Sequence, residues 1–290
     1  MSDSIRDKIN SISYLLKVED QIELVVSIIA AAIIANGSLY FQDIQKPILV
    51  VLFGLCSLTG VIVFNQYHDI EVDRINKPYR PLPAGKIKKE TALKIVFLSY
   101  LVSLIISLYL GLIYIILALI NILLGVTYSQ PSIGTRRNVI LSTILVSIGY
   151  AILSFIMGWS IYKPLIAIPW WFVAFLFVTD VGEVLTKDYR DIKGDKKHNR
   201  ITLPVKYGRE TAVVVNTLIY MSPLILLLIS SLAGFVNIKF GLLAVYCMLT
   251  GSYALSLLYK EPHHKYDVWC YKIFTSNYFA IRILCVWAFI

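Results

Sequence analysis

The sequence predicts an all-α integral membrane protein, a bundle of about nine transmembrane helices, and three observations carry that prediction. Of the 290 residues, 58% are hydrophobic and 16% charged, with a mean hydropathy of +0.72; an ordinary soluble domain runs at about 45–50% and 25%. A water-soluble fold of this size could not hide so much apolar surface, and disorder needs the opposite composition. Apolar runs near or above the roughly 18-residue spanning length recur along the chain. The basic residues segregate between alternate ends of those runs.

The runs lie at about 21–41, 47–64, 91–111, 112–129, 138–160, 165–183, 211–235, 238–259 and 270–290. The first follows a polar, mixed-charge stretch from Met1 to Asp20, so no cleavable signal peptide is expected, and Glu23 at its start reads as interfacial. Only Gly111 divides the third from the fourth, which leaves one long helix as an alternative. Trp159, Trp170 and Trp171 fall at the outer interface and Trp269 at the inner one, where indoles favour the headgroup level. The ninth run is the least apolar, with Lys272, Asn277 and Arg282 inside it; Arg282 is expected to pack against another polar group in the bundle.

With the polar ends numbered alternately from the inside, 23 of the 27 Lys and Arg residues fall inside. Only Lys46, Lys163 and Lys239 fall outside, and Arg282 lies within a span. The N-terminus and the two long loops, about 65–90 and 184–210, are therefore expected on the cytoplasmic side of a cell membrane, and the C-terminus outside. The net charge of +9 then reflects cytoplasmic loops, not nucleic-acid binding. Cys56, Cys247, Cys270 and Cys285 lie in or beside apolar segments without paired spacing and read as small core residues.

The first long loop carries Asn65, Asp69 and Asp73 at i, i+4 and i+8. If the second span continues as helix past Phe64, they form one polar stripe. Two carboxylates and an amide oxygen make a hard oxygen site that suits Mg2+, which also accepts substrate phosphate oxygens. Pro78, Pro81 and Pro83 stop the helix and stiffen the rest of the loop. The second loop carries Asp188, Asp191 and Asp195 at i, i+3 and i+7, again one face if Gly194 does not break the helix.

Each stripe is followed by an arginine, a proline and a glycine: Arg80, Pro81 and Gly85, then Arg200, Pro204 and Gly208. That reads as a twofold internal repeat of Asp-rich halves. One carboxylate pair in such a loop is ordinarily a solvated face; two matched stripes, each ending a span, call for more. Facing each other they could hold Mg2+ ions that grip a diphosphate and stabilise it as a leaving group. Lys77, Arg80, Arg136, Arg137, Lys187, Arg190 and Arg200 could complete the clamp. His68 lies off the stripe, and His198, His263 and His264 have no second ligand at metal spacing.

The pattern Asn65-x3-Asp69-x3-Asp73 with Arg80-Pro81-x3-Gly85 resembles the first signature of the UbiA-type intramembrane prenyltransferases. Lys187-Asp188-x2-Asp191-x3-Asp195 with Thr202-Leu203-Pro204-x3-Gly208 is similar to their second. The likeness covers essentially the whole chain, 1–290, as one domain. It implies a central cavity in the bundle and Mg2+-dependent transfer of a prenyl group from a prenyl diphosphate. Through an allylic carbocation, the prenyl group passes to a lipophilic or aromatic acceptor, either a quinone precursor or an ether-lipid alcohol.

By the resemblance, Asn65, Asp69, Asp73, Asp188, Asp191 and Asp195 take the metal, and Asp69, Asp73, Asp191 and Asp195 are catalytic. Lys77, Arg80, Arg136, Arg137, Lys187 and Arg200 meet the diphosphate. The stretch from Asp73 to Pro81 is most similar to the branch of archaeal ether-lipid and chlorophyll-type enzymes. Departures are Gln66 where many members have Asp, Lys17 to Asp20 in the first helix, and Arg136 or Arg137 where members often carry a lysine.

A terpene cyclase with the same ionisation is the main alternative. A phosphoalcohol transferase would need an Asp-Gly-x2-Ala-Arg start, which is absent. A cation-coupled transporter would place its charges near the bilayer midplane rather than at the inner ends of spans.

Overall fold

The computed structural model describes residues 2–260 and 263–290, with no strand among them; Met1, Glu261, Pro262 and the side chains of residues 2–5 and of Lys8 lie outside what is described. Helix α1 (Ser2–Leu16) ends at Lys17, whose φ of 46° breaks the chain before α2 (Val18–Asn36). Next come α3 (Gln45–His68), the short α4 (Ile70–Asn76), α5 (Lys89–Leu110) and α6 (Leu112–Ser129). Gly111 sits between the last two at φ 109°. Only glycine reaches that region without strain, so α5 and α6 are two helices, and the alternative of one long helix falls.

Helices α7 (Val139–Ser147) and α8 (Ser154–Trp159) run into each other through a π turn at Ile148–Leu153. The chain continues through α9 (Trp170–Thr186), α10 (Asp188–Lys197), α11 (Leu203–Tyr207), α12 (Arg209–Leu232), α13 (Ile238–Leu257) and α14 (His263–Phe289).

Among the described residues six stretches are long and apolar enough to cross a membrane: α3, α5, α6, Val139–Trp159, α12 and α13. The other three expected runs are also helical, as α2, α9 and α14. Helix α9 has only 17 residues, α2 carries Glu19, Asp20 and Glu23, and α14 carries Lys265, Asp267, Lys272 and Arg282.

Helix α3 packs against α5 and α6, α2 against α8 and α14, and α9 against α12 and α14. Gly158 lets α8 approach α2, because a side chain there would run into the Ile28 carbonyl. Large apolar side chains such as Leu108, Leu123, Leu226 and Leu249 point outward, where lipid is as favourable a neighbour as protein. At the end of α9 opposite Asp188, Phe172 meets Phe155, Phe240 and Phe289 at centroid distances of 5.7, 6.2 and 5.0 Å. These rings close the bundle on that side.

Trp170, Trp171 and Trp269 are exposed as expected of belt residues, but Trp159 is buried. Its indole N–H donates to the Pro164 carbonyl at 3.1 Å, tying down the turn after α8, and its ring stacks on Phe155.

Candidate active site

The first stripe forms where α3 gives way to α4. The backbone bends at Asp69 (φ −96°, ψ 1°). Yet Asp69 N–H still reaches Asn65 O at 3.0 Å, and Asp73 N–H reaches Asp69 O at 2.7 Å. The i→i−4 ladder thus runs through the bend and keeps Asn65, Asp69 and Asp73 on one face. The second stripe lies on α10, which continues through Gly194 to Lys197.

Asn76 holds the two stripes together. Its side-chain N–H donates to Asp191 O at 2.9 Å, and its Oδ1 accepts from Gly194 N–H at 2.8 Å. A Cβ at position 194 would lie 2.5 Å from Asn76 Nδ2. Glycine is therefore what allows α4 and α10 to cross so closely. All six oxygen-bearing residues of the stripes, Asn65, Asp69, Asp73, Asp188, Asp191 and Asp195, line one cavity of about 430 Å3.

Cations from both halves meet these acids. Arg136 and Arg200 both pair with Asp69, and Lys77 pairs with Asp191. Arg80 donates to Asp73 at 2.6 Å, and Arg200 stands 4.0 Å from Asp195. The Asn65 amide fits between Asp69 and Arg136, donating to the first at 3.3 Å and accepting from the second. Arg136 also donates to the Tyr128 carbonyl at 3.1 Å and lies 4.9 Å over the Tyr128 ring, with Lys187 on the same ring at 5.8 Å. Burial and the neighbouring Arg200 lower the Arg136 pKa to about 9.

Burial, with acidic neighbours adding to it, raises Asp195 to about 7. Burial raises Asp188 to about 6 against the pull of Lys187. Burial also pushes Asp191 upward, but Lys77 outweighs it and leaves Asp191 lowered.

The donor set fits a hard divalent cation: oxygens only, two or three carboxylates on each wall, and an Asp191 Oδ1 that is buried without a hydrogen-bond partner. Among the described residues no three of these acids already close on one point; each instead lies beside a basic side chain.

Of the expected diphosphate contacts, Lys77, Arg80, Arg136, Lys187, Arg190 and Arg200 line the cavity. Arg137 does not: it is exposed and turned away. It follows Arg136 on a single 3-10 turn (Thr135–Arg137), where adjacent residues point about 120° apart, so one of the two arginines must face out. His68 packs edge-on against Phe64 and Tyr67, outside the cavity. Gln66 is buried and donates to the Leu15 carbonyl at 2.6 Å, away from the stripe.

Several cavity residues escape a reading of the sequence. Glu23, expected at the interface, is a buried wall residue, joined there by Asp20, Asp180 and Glu183. Acids inside an apolar span are functional candidates by default, and that signal was present in Asp180 and Glu183. Asn76, three residues past Asp73, falls on the same helical face as the stripe.

Comparison with known proteins decides the family. The family model described as the UbiA prenyltransferase family matches residues 24–279. The chain belongs to that family. UbiA-family relatives include the digeranylgeranylglyceryl phosphate synthase of Methanocaldococcus jannaschii, 31% identical over 89% of this chain and 88% of the relative. The synthase of the same name from Sulfolobus acidocaldarius is 31% identical over 72% and 76%. Among solved UbiA-type structures, a digeranylgeranylglyceryl phosphate synthase superposes with a TM-score of 0.68 at 26% identity, covering 97% of this chain and 98% of the other. A UbiA homologue from Archaeoglobus fulgidus, bound to DMAPP and Mg2+, gives 0.66 at 17% identity over 94% and 99%, and shows the shared fold.

Proposed function

We propose that this UbiA-family chain transfers a prenyl group, with Mg2+, from a prenyl diphosphate to a hydroxyl of a glycerophosphate lipid. The observation that carries the reading is a single cavity that brings six oxygen donors and their paired cations together with a stretch of apolar wall. The six oxygen donors and the cations that pair with them line it, and so do the apolar side chains of Leu24, Leu58, Ile62, Leu124, Val146 and Phe274. A prenyl diphosphate likewise joins a polyanionic head to a hydrocarbon tail. The names of the relatives support the acceptor: a digeranylgeranylglyceryl phosphate synthase makes a glyceryl phosphate carrying two geranylgeranyl groups.

In this reading Asn65, Asp69, Asp73, Asp188, Asp191 and Asp195 hold the metal. Mg2+ when bound neutralises the diphosphate and makes it a better leaving group. Lys77, Arg80, Arg136, Lys187 and Arg200 bind and orient the phosphate oxygens. The apolar walls keep water from the allylic cation, which water would quench. The hydrocarbon tail stays at lipid depth while the head remains at the loop face.

The reading takes α2, α9 and α14 as spans, nine in all, with the N-terminus and both Asp-rich loops cytoplasmic. It also takes α3–α4 and α9–α10 as two halves of an internal repeat. In support, each half has an apolar helix, a short acid-bearing helix, and a glycine at positive φ further on, Gly85 and Gly208.

The test is product analysis by mass spectrometry. Purified protein in nanodiscs receives Mg2+, geranylgeranyl diphosphate, and either geranylgeranylglyceryl phosphate or a hydroxybenzoate. An ether product from the glycerol acceptor is the expected result. Coupling only to the aromatic acceptor would overturn the acceptor assignment, and a cyclic hydrocarbon formed without acceptor would overturn transfer itself.

A further inference from the structure

Beyond the metal and diphosphate end, the same cavity is lined by a second set of acids that the proposed diphosphate chemistry does not use. Glu23 from α2 and Asp180 and Glu183 from α9 are 9%, 3% and 8% exposed. All three line the cavity. Glu183 Oε1 has no hydrogen-bond partner, and neither do the three guanidinium nitrogens of Arg282, a residue 3% exposed on α14. Arg282 stacks 3.6 Å over the ring of Tyr278.

Unpartnered charged groups at this depth are costly and are kept where function needs them. Glu183 is faced by Asp180 on its own helix, by Glu23 from α2, by Arg282 from α14, and by Tyr220 and Cys247 from α12 and α13. Arg282 is the one cation among them.

Position along the helix says what Glu183 can reach. At 1.5 Å per residue it lies about 7 Å deeper than Asp188. In the transfer reading, that offset puts Glu183 on the side of the diphosphate where the prenyl chain begins. A route to water also exists. Asp20 sits one turn from Glu23 on α2, accepts from the Tyr150 hydroxyl at 2.8 Å, and pairs at 3.2 Å with Lys17, whose side chain is 31% exposed.

We propose that Glu183 is the proton acceptor for the attacking hydroxyl, with Glu23 and Asp20 as the path by which the proton leaves. The proposal rests on the transfer reading. The bond from C1 to the diphosphate oxygen breaks, its electron pair leaves with the diphosphate, and a lone pair of the acceptor oxygen then forms the new bond to the allylic C1 cation. The hydroxyl proton passes to Glu183 Oε1.

The experiment uses the full chain in nanodiscs with Mg2+, geranylgeranyl diphosphate and geranylgeranylglyceryl phosphate. Wild type, Glu183→Gln and Glu183→Asp are compared for ether formation and for binding of the inert S-thiolodiphosphate analogue of the donor. Glu183→Gln is expected to bind the analogue as wild type does and to lose at least a hundredfold in ether formation. Glu183→Asp is expected to recover a tenth or more of the wild-type rate. Ether formation by Glu183→Gln within threefold of wild type would overturn the assignment. So would a parallel loss of analogue binding, which marks a structural role, or a Glu183→Asp variant no better than Glu183→Gln. Wild-type protein that binds the analogue but makes no ether would instead overturn the transfer reading, and this proposal with it.

Discussion

Asp69 and Asp191 show how much of the site rests on single side chains. Asp69 is buried and Asp191 half-buried, and each is paired with a cation from elsewhere in the chain, Asp69 with Arg136 and Arg200, Asp191 with Lys77. Asparagine keeps the volume and one acceptor but removes the charge a divalent cation needs. Asp69→Asn and Asp191→Asn are each expected to lower kcat/KM by about a hundredfold or more, a loss near 3 kcal/mol of transition-state stabilisation, with little change in thermal midpoint. Steady-state kinetics at saturating Mg2+ checks this; near-normal rates in either variant would remove that stripe from the metal site.

The neighbouring arginines make a sharper contrast. Arg136→Ala should raise KM for the prenyl diphosphate at least tenfold, while Arg137→Ala, at an exposed position, should stay within threefold of wild type. Equal effects from the two would mean the 3-10 turn does not select between them.

Asp188 and Asp195 carry a pH signature. Burial raises them to about 6 and about 7, above the unfolded value of about 3.9. The folded chain therefore binds these protons more tightly. Their contribution to stability is complete below about pH 4 and is lost as pH rises through 6 and 7. In EDTA, the thermal midpoint of wild type should fall between pH 5 and 7.5 more than that of Asp195→Asn. Parallel profiles would contradict the raised pKa of Asp195.

At the scale of elements, the crossing of α4 and α10 sets the separation of the two stripes. It depends on Asn76 bonding to the backbone of Asp191 and Gly194 with no side chain in the way. Gly194→Ala gains helix propensity, up to about 1 kcal/mol, but forces Asn76 aside at a cost of about 1–3 kcal/mol for overpacking. The variant is expected to lose turnover out of proportion to its small change in thermal midpoint. Full activity with an unchanged midpoint would show that the crossing tolerates a methyl group.

Helices α2, α9 and α14 are less clear-cut spans than the other six: α9 has only 17 residues, and charged side chains interrupt α2 and α14. All three also carry charged side chains that face the bundle interior: Asp20 and Glu23, Asp180 and Glu183, and Arg282. Nine apolar runs were readable because hydropathy averages over a window; the acids inside them were discounted for the same reason.

For the whole molecule, the expectation that matters most is that both Asp-rich loops share one side of the membrane. Lys88 and Lys197 are exposed positions beyond the two stripes. In a background free of the four native cysteines, Lys88→Cys and Lys197→Cys should react with a membrane-impermeant maleimide from the same side of oriented vesicles. Labelling from opposite sides would break the shared cavity and the topology together.

The sequence by itself determined the membrane class, the helical segments and the two acid stripes. These depend on local quantities: windowed hydropathy, the 3.6-residue period, and spacing within one helix. The motif spacing also pointed to the right family. Only the tertiary structure decided that Asp69 is shared by Arg136 and Arg200, that Arg136 and not Arg137 enters the site, that Asn76 locks α4 to α10, and that Glu23 faces the cavity and not the interface. Each joins segments far apart in the chain or turns on which way one side chain points. Helix crossing angles and close approaches at glycine settle such matters, and no periodicity along a single segment encodes them.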